Sequence, residues 1–592
     1  MTAPATALTD RDLASVQEAR RLAERAKQAA PILAEFSQLQ IDAIVDAMAA
    51  AAQPCAEVFA RMAVEETGFG LVADKTQKNL FAAERVYEFI RPMKTVGVIA
   101  RHPDRKVTDI AEPFGVVAAI VPSTNPTSTA IYKILIALKA RCPIVLSPHP
   151  SAARCIIRVA EVMREAAVRA GAPADAIGWL TVVSLEGTQE LMRHRDVAVI
   201  LATGGLGLVR AAYSAGKPAY GVGPGNAPCY IERTADVTKA VSDILTGKSF
   251  DNGVLCSSPN AVVADVPVAG EVRREFARQG GHFLTAAEGD RLATALVTPQ
   301  RLPNPAFVGK TALQIAAQVG IQVPAGTRAL IVELAGVGRA YPLSIEKLCP
   351  VLAYYEVADW REGCERCRQI LRYGGMGHTM SIHSRDDGII LEFGLKKPAF
   401  RIVVNTPTTH GSIGLSTGLD PAMTLGCGGY GGNITSDNIT PMHLLNIKRL
   451  AYELRPVQAT MKAAPAAIPP PPVPPASVEV PLPRTVQQPQ THEVGAAAVQ
   501  QQVASFLAGR AASQVDTAGT PPAASVSATP TGATPPPVDK VAPVPFVCED
   551  DVRQAIRQGV KITIAERTIV TPAARDLAEA HRIFIYAGWP KT

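Results

Sequence analysis

The sequence predicts an α/β protein with a parallel sheet, followed by a linker and a small α/β tail. Short apolar runs such as VVAAIVPS, PIVLSP and VAVILATGG end in turn residues, and a helical pattern follows each run. Strand and helix patterns that alternate in this way are typical of βαβ units with parallel strands. A stretch dense in Pro, Ala, Thr, Val and Gln then precedes a last segment with ordinary globular patterning.

The composition allows large cores and argues against several classes of partner. The chain has 592 residues, 47% of them hydrophobic and 19% charged, which suggests about three to five domains. The net charge is only +6 and no Lys/Arg-rich run is present, so we expect no nucleic-acid partner. No apolar run reaches the ~18 residues of a membrane span, and residues 1–30 read as a charged helix rather than a signal peptide. The scattered cysteines fit a reducing cytoplasm.

The first region begins with a helix and contains a hairpin. Thr9 or Asp10 would cap a long amphipathic helix at the start of the chain. The segment VGVIARHPDRKVTDIAEPFG predicts a β-hairpin at about residues 97–116, with HPDR as its turn. The alternating strand and helix patterns follow this hairpin and return in the later half of the region.

Residues 456–545 form the predicted linker. Segments such as IPPPPVPP and ATPPPV cannot bury enough apolar surface to order themselves, so we expect an extended, flexible and disordered chain. Within it, EVGAAAVQQQVASFLAGRAA places four apolar side chains on one face of a helix at about residues 493–511. Because an isolated helix of this kind is unstable, we expect it to order by docking on a partner. An accidental apolar cluster in Ala-rich sequence is the alternative.

Residues 546–592 form the predicted C-terminal module, with the order helix, strand, strand, helix, strand. The first helix should end at Gly559, which is a typical C-cap. Thr571 and Pro572 should begin the second helix, as N-cap and first helical residue. So short a segment is marginally stable by itself.

Cys256 in FDNGVLCSSPN is the best candidate for a catalytic nucleophile. A thiolate adds readily to a carbonyl and leaves readily from a thioester, although most free cysteines simply fill cores. Cys364 and Cys367 have C-x-x-C spacing but lie in a helical pattern with no second pair nearby. We interpret them as part of a partly buried helix face rather than as a metal or redox site, and we expect no metal.

Several further motifs, before and after Cys256 along the chain, support its interpretation as a nucleophile. They are VPSTNPTSTAIYKILIALKA, LSPHPSA, ATGGLG, GVGPGNAPCYIE, FDNGVLCSS, EKLCPVL, GMGHT and TLGCGGYGGNITSDNITPMHLLNIK. In this order, over about residues 10–455, they resemble the CoA-acylating branch of the aldehyde dehydrogenase superfamily. The resemblance implies a Rossmann-type nicotinamide-binding domain at residues 1–228, a catalytic domain at 229–430 and an oligomerisation segment at 431–455. It also implies that the hairpin serves oligomerisation, in a homodimer or homotetramer.

The resemblance assigns catalytic roles to three residues. Asn125 matches the family's oxyanion asparagine, whose amide would act with the backbone N–H of Cys256 on the tetrahedral adduct; one such donor contributes ~3 kcal/mol. His378 in GMGHT resembles a histidine near the active cysteine of acylating members, and it would take a proton from coenzyme A or the hemithioacetal. A structural histidine in a Gly-rich turn is the alternative. His383 and His410 receive no role.

The resemblance implies NAD as cofactor and coenzyme A as co-substrate. In ATGGLG, Thr203 begins a turn in which Gly204, Gly205 and Gly207 would let the backbone approach the pyrophosphate at a helix N-terminus. Glu346 in EKLCPVL matches the glutamate that holds the nicotinamide ribose.

The turn LSPHPSA, with Ser147 and Pro148, matches the turn under the adenosine ribose. The Lys and Glu of hydrolytic members are absent there, since Ser147 and Pro150 stand in their places. Without the carboxylate that would repel a ribose 2′-phosphate, NAD is only preferred over NADP.

Val222 identifies the acylating branch. It stands in GVGPGN, where hydrolytic members carry a glutamate general base, and valine cannot activate water. The expected reaction therefore converts a short aldehyde, NAD and coenzyme A to acyl-CoA and NADH, with acetaldehyde or propanal as the substrate. The alternatives are a hydrolytic enzyme that releases a free acid, a sulfoacetaldehyde-type acylating dehydrogenase, and a catalytically silent scaffold that organises a shell.

The segment FVCEDDVRQAI, continued by TIVTPAARDLAEAHRIF, resembles a short module appended to several bacterial microcompartment proteins. Together with the helix at 493–511, it implies an enzyme packaged in a protein shell within the cytoplasm. Shell proteins or co-packaged enzymes would then be its partners. A generic α/β tail used for self-association is the alternative.

Overall fold

The computed structural model describes residues 10–455, 544, 546–565, 568–570 and 572–586. The chain divides into two compact units, Met1–Lys462 and Ala463–Thr592. The linker predicted at 456–545 lies outside the described residues except for residue 544, and so does its helix at 493–511.

The first unit alternates helices with strands. Its helices are α1 (Arg11–Ala34), α2 (Gln38–Ala52), α3 (Ala56–Thr67), α4 (Val72–Leu80), α5 (Tyr87–Ile90), α6 (Pro126–Lys139), α7 (Ala153–Arg169), α8 (Leu185–Arg193), α9 (Leu206–Tyr213), α10 (Val237–Ser249), α11 (Val266–Gln279), α12 (Ala286–Leu296), α13 (Ala312–Gln318), α14 (Trp360–Tyr373), α15 (Asp387–Leu395) and α16 (Thr408–Ser412). Its strands are β1 (Gly97–His102), β2 (Val107–Pro113), β3 (Val116–Val121), β4 (Ile144–Pro148), β5 (Ile177–Trp179), β6 (Val197–Thr203), β7 (Ala219–Val222), β8 (Ala227–Ile231), β9 (Pro259–Asp265), β10 (Gly281–Phe283), β11 (Ala329–Glu333), β12 (Val351–Val357), β13 (Gly377–His383), β14 (Ala399–Val404) and β15 (Leu445–Ala451).

Two parallel sheets form the framework of this unit, which confirms the predicted fold class. The first sheet has the order β5-β4-β3-β6-β7, and the second has the order β10-β11-β12-β9-β8-β13-β14. Every residue of β3, β4, β8 and β9 is buried. Continuous apolar strands are expected where helices cover both faces of a parallel sheet. The domain boundaries at residues 228, 430 and 455 stay a prediction.

A separate antiparallel sheet contains the predicted hairpin. β1 and β2 pair antiparallel around a 3₁₀ turn at Pro103–Arg105. β15, from the end of the unit, pairs with the other edge of β2 and completes three strands in the order β1-β2-β15. The oligomerisation role of this sheet stays a prediction.

By length and composition alone, the helical run Gln38–Thr67 is long and apolar enough to cross a membrane. One face of this run, however, belongs to the protein core, whereas Leu39 and Val58 are exposed. Ile41, Ile44 and Met48 on α2 are fully buried in the same apolar cluster as residues of α6 and α7. The core position of α2 therefore explains its hydrophobicity.

Two local predictions in the first unit are confirmed. The Asp10 carboxylate accepts hydrogen bonds from the backbone N–H groups of Asp12 and Leu13, so Asp10 is the N-cap of α1. Cys364 and Cys367 lie on the face of α14 that packs on the second sheet, and both thiols are free. The structure buries this helix face more completely than the sequence suggested.

The second unit contains the described part of the C-terminal module. Its elements are β16 (Phe546–Val547), α17 (Glu549–Gln558), β17 (Ile562–Ile564), β18 (Ile569–Val570), α18 (Pro572–His581) and β19 (Phe584–Tyr586). The predicted order is present, with β16 as an additional strand. Gly559 ends α17 with φ of 65°, as a left-handed C-cap requires. β16 pairs with β18 and β17 pairs with β19, both in parallel.

Candidate functional site

A cavity of about 440 Å³ lies at the carboxyl ends of the strands of the first sheet. The loops after β3, β4, β6 and β7 all reach it, which is the usual position of a ligand site in an open parallel sheet. The cavity brings together eight of the predicted site residues, namely Asn125, Ser147, Pro148, Thr203, Gly204, Gly205, Cys256 and Glu346. Gly207 and His378 are not among its lining residues. Val222, at the end of β7, also lines it.

Cys256 follows a strained turn at the end of α10. Asp251 and Asn252 in this turn have positive φ of 48° and 53°, in the left-handed region that few side chains adopt. Burial, and then the charge of the nearby Glu346, raise the pKa of the Cys256 thiol to about 12. The sulfur is therefore a neutral thiol at neutral pH, and its attack on a carbonyl requires removal of the proton.

The amide of Asn125 is oriented by a lysine that the sequence analysis did not identify. Asn125 precedes α6, and its Oδ1 accepts a hydrogen bond of 2.6 Å from Nζ of Lys78 on α4. A lysine ammonium only donates hydrogen bonds, so the amide oxygen must face Lys78. The amide NH₂ group is thereby assigned to the other side. It lies 3.3 Å from the Thr124 hydroxyl oxygen, to which it donates.

Behind Asn125 lies a fully buried charge cluster, which consists of Lys75, Lys78 and Asp251. The Asp251 carboxylate accepts from Lys75 Nζ at 2.9 Å and also from Lys78 Nζ. Lys75 Nζ donates to the Thr124 carbonyl oxygen at 2.9 Å. Burial lowers the pKa of Lys78 to about 8, although the Asp251 carboxylate raises it in part. The cluster thus links the loop of Thr124 and Asn125 to the turn that precedes Cys256.

Glu346 is buried at the cavity wall. Its Oε1 accepts a hydrogen bond of 2.8 Å from the backbone N–H of Gly225. Burial raises the pKa of Glu346 to about 7, while the Gly225 N–H and then the charges of Lys248 and Lys347 lower it. Its carboxyl group can therefore be protonated or ionised near neutral pH.

The residues after β6 fit a dinucleotide. Thr203 lines the cavity, and its Oγ1 is buried without a hydrogen-bond partner among the described residues. Gly205 precedes α9, and a Cβ at Gly205 or Gly207 would meet no atom within 4 Å. A strand, a glycine turn and a helix N-terminus with open space beside it form the arrangement that binds a pyrophosphate. A Cβ at Gly204 would instead lie 2.7 Å from the Leu208 side chain.

His378 does not line the cavity, but its ring lies close to the backbone of Gly225. A Cβ at Gly225 would stand 2.1 Å from the Cys256 carbonyl oxygen and 3.2 Å from Cγ of His378. The His378 ring is buried on β13, with Nδ1 2.9 Å from the Thr379 hydroxyl and Nε2 without a partner in the described structure. Burial, and then the charge of Arg401, lower the pKa of His378 to about 3. The imidazole is therefore neutral and weakly basic, and its predicted role as proton acceptor stays a prediction.

Metal chemistry finds no support in the arrangement of these side chains. Within the described ranges, no group of three or more His, Cys, Asp or Glu residues is placed to hold a metal ion.

Comparisons with known proteins agree on one family. The model of the aldehyde dehydrogenase family matches residues 2–303. The bifunctional aldehyde-alcohol dehydrogenase AdhE of Escherichia coli K12 is 43% identical over 442 residues, which cover 74% of this chain and 50% of that protein. The chain thus spans about half the length of this relative.

Two solved structures extend the comparison. An acetylating aldehyde dehydrogenase from Geobacillus thermoglucosidasius is 50% identical with a TM-score of 0.75, over 76% of this chain and 100% of that one. A propionaldehyde dehydrogenase from the Clostridium phytofermentans fucose utilisation bacterial microcompartment is 29% identical with a TM-score of 0.67, over 74% and 97% of the two chains.

Proposed function

This chain belongs to the aldehyde dehydrogenase family, and from that premise we propose that it is a CoA-acylating aldehyde dehydrogenase. It would convert a short aldehyde, NAD and coenzyme A to acyl-CoA and NADH, through a thioester on Cys256. The observation that supports this proposal is that Cys256, Asn125 and Val222 line one cavity. By the resemblance, Val222 stands where hydrolytic members carry a general base. The acetylating relative of known structure supports it.

The chemistry of addition rests on Cys256, Asn125 and the cluster behind them. The Cys256 thiol would lose its proton to solvent water as its sulfur attacks the aldehyde carbon, and the Asn125 NH₂ group would donate to the oxyanion together with the Cys256 N–H. Lys78 would hold the Asn125 amide in the donating orientation through its 2.6 Å hydrogen bond. Preorganised donors of this kind act without further reorganisation when the charge develops.

NAD would supply the hydride acceptor, with NADP as the alternative. The backbone around Thr203, Gly204 and Gly205 would hold the pyrophosphate, and Glu346 would hold the nicotinamide ribose. Ser147 and Pro148 would form the turn under the adenosine ribose. The unpartnered Thr203 hydroxyl and the open space at the start of α9 support this assignment.

Transfer to coenzyme A rather than to water follows from the side chains around the thioester. Val222 is buried and aliphatic, so it cannot take a proton from water. Glu346 is the only carboxylate among the described residues that line the cavity; its Oε1 accepts from the Gly225 N–H, and its other oxygen would hold the nicotinamide ribose. The acyl group would therefore stay bound to the Cys256 sulfur until the thiol of coenzyme A attacks the thioester.

A short apolar aldehyde fits the cavity better than an anionic one. Cys256 packs against an apolar cluster that includes Ile413, Met423 and Leu425, and these three residues line the cavity. No Lys or Arg is among the described lining residues. A sulfonate or carboxylate substituent would lose its hydration there without contacting a lysine or arginine of the cavity lining. This favours acetaldehyde or propanal over sulfoacetaldehyde.

An assay of NADH formation with and without coenzyme A tests the proposed reaction. Acetaldehyde and propanal should support turnover only when coenzyme A is present, with acyl-CoA as the product. Cys256→Ala should abolish this turnover, whereas Cys55→Ala, which removes another partly exposed thiol, should retain it. Steady NADH formation with carboxylate as product would instead indicate the hydrolytic enzyme. Absence of any aldehyde-dependent turnover would favour the silent scaffold.

We also propose that residues 456–592 direct this enzyme, as a homo-oligomer, into a bacterial microcompartment in the cytoplasm. The tail's resemblance to a microcompartment module supports this, as does the microcompartment origin of one related structure. Removal of 456–592 should prevent co-purification with shells, and removal of 493–511 alone should identify the docking element. Entry of the truncated enzyme into shells would disprove the proposal.

A further inference from the structure

A buried lysine faces a buried thiol on the second sheet. Lys397, which follows α15, places Nζ 2.5 Å from Sγ of Cys364 on α14. Lys397 is 7% exposed and Cys364 is 6% exposed. The other contacts of Nζ are the Phe393 carbonyl oxygen at 3.4 Å and the Phe393 ring.

This contact of Lys397 is not an ion pair with a carboxylate. The neighbouring Lys396 pairs with Glu392, whereas no described carboxylate pairs with Lys397. A buried ammonium without a carboxylate is costly, and burial lowers the pKa of Lys397 toward the neutral amine. The amine and the thiol are thus buried in direct contact with each other, so the amine is placed to react with the sulfur once the thiol is oxidised.

We propose that Lys397 and Cys364 are a modification site that forms a reversible covalent Nζ–O–Sγ bridge under peroxide. Hydrogen peroxide first oxidises the thiol to a sulfenic acid: an S–O bond forms, the O–O bond breaks and water leaves. A second peroxide then accepts one hydrogen from the amine and one from the sulfenic acid, and the N–O bond forms. One amine, one thiol and two peroxides thus give the bridge and three waters. A thiol reductant restores both side chains and releases the oxygen as water.

The positions of the two residues define what the bridge does. It ties α14 to the segment before β14, two elements of the same apolar cluster that lie far apart in sequence. The loop that it closes contains β13 and His378. A cross-link of this kind restricts the unfolded chain, as a disulfide does, so the oxidised protein should unfold at a higher temperature. The bridge does not involve Cys256 and is independent of the proposed reaction.

Peptide-resolved mass spectrometry of the full chain tests the proposal. After treatment with hydrogen peroxide, the peptides that contain Cys364 and Lys397 should be joined, with a mass gain of one oxygen and a loss of two hydrogens. A dithiol should reverse the linkage. Cys364→Ser and Lys397→Met should abolish it, whereas Cys367→Ser, one turn away on the same face of α14, should retain it.

Two outcomes would overturn the proposal. One is a Cys364–Cys367 disulfide, and the other is an unlinked Cys364 oxidised to sulfinic acid while Lys397 stays unmodified. The digest of the oxidised wild-type protein distinguishes the Lys397–Cys364 bridge from both of these outcomes, even when a variant fails to fold. The Tm of the wild type should rise on oxidation and fall again with reductant, while the Tm of Cys364→Ser should not rise.

Discussion

At the residue scale, Asn125, the proposed oxyanion donor, contacts an ion cluster that no local sequence pattern reveals. Asn125 and Cys256 could be predicted because their motifs resemble a family. Lys75, Lys78 and Asp251 could not, because the sequence shows two lysines on an ordinary helix and an aspartate far away along the chain. Only the fold shows that these three side chains are buried together and that Asp251 pairs with both lysines.

Lys78 should control kcat rather than substrate binding. In Lys78→Met, the Asn125 amide loses the bond that fixes its orientation, so we expect kcat to fall on the order of ten- to a hundredfold with little change in KM. Asn125→Ala combined with Lys78→Met should cost little more than Asn125→Ala alone, because Lys78 acts through that amide. Fully additive losses would contradict this role.

The same contact predicts a pH dependence. Since burial lowers the pKa of Lys78 to about 8, the ammonium loses its proton as the pH rises through that value. A neutral amine binds Asn125 Oδ1 less strongly, so kcat should decline above pH 8. A kcat–pH profile should show this alkaline limb in the wild type and lack it in Lys78→Met.

Val222 should determine which nucleophile receives the acyl group. Val222→Glu places a carboxylate in the cavity wall, where it could take a proton from water. We expect the variant to release carboxylate without coenzyme A, and Val222→Gln, of matched shape but without basicity, to release none. Product analysis by chromatography distinguishes the two; equal acid release from both variants would exclude general-base catalysis.

At the element scale, the sequence predicts local structure better than long-range pairing. Strands β3, β4 and β6, the hairpin and the Gly559 C-cap follow from periodicity and turn chemistry. The addition of β15 to the hairpin and the order of the seven-stranded sheet do not follow. Apolar periodicity reports that a segment is buried, but it does not report against which distant segment it packs.

The loop after β7 should tolerate no side chain at Gly225. A Cβ there would stand 2.1 Å from the Cys256 carbonyl oxygen, a backbone atom that can move only with the nucleophile turn. Gly225→Ala should therefore displace the Cys256 N–H and strongly reduce kcat. Gly394→Ala on α15, where a Cβ meets no atom within 4 Å, serves as the control in the same assay.

At the scale of the whole molecule, every residue of the candidate site lies in the first compact unit. The Pro-rich composition predicts where this unit ends, because such sequence cannot form a core. Deletion of 456–592 should thus leave CoA-dependent activity intact while it removes the proposed packaging signal. Loss of activity with that deletion, measured alongside shell binding, would show that the tail also supports catalysis.

The valine at the end of β7 determines the product and thereby the free-energy change of the reaction. Hydrolysis of a thioester to a carboxylate is strongly favourable, whereas transfer of the acyl group from one thiol to another has a free-energy change close to zero. We therefore expect the overall conversion to run in either direction. The ratio of reduced to oxidised nicotinamide, rather than the enzyme, would then set whether the aldehyde is consumed or produced.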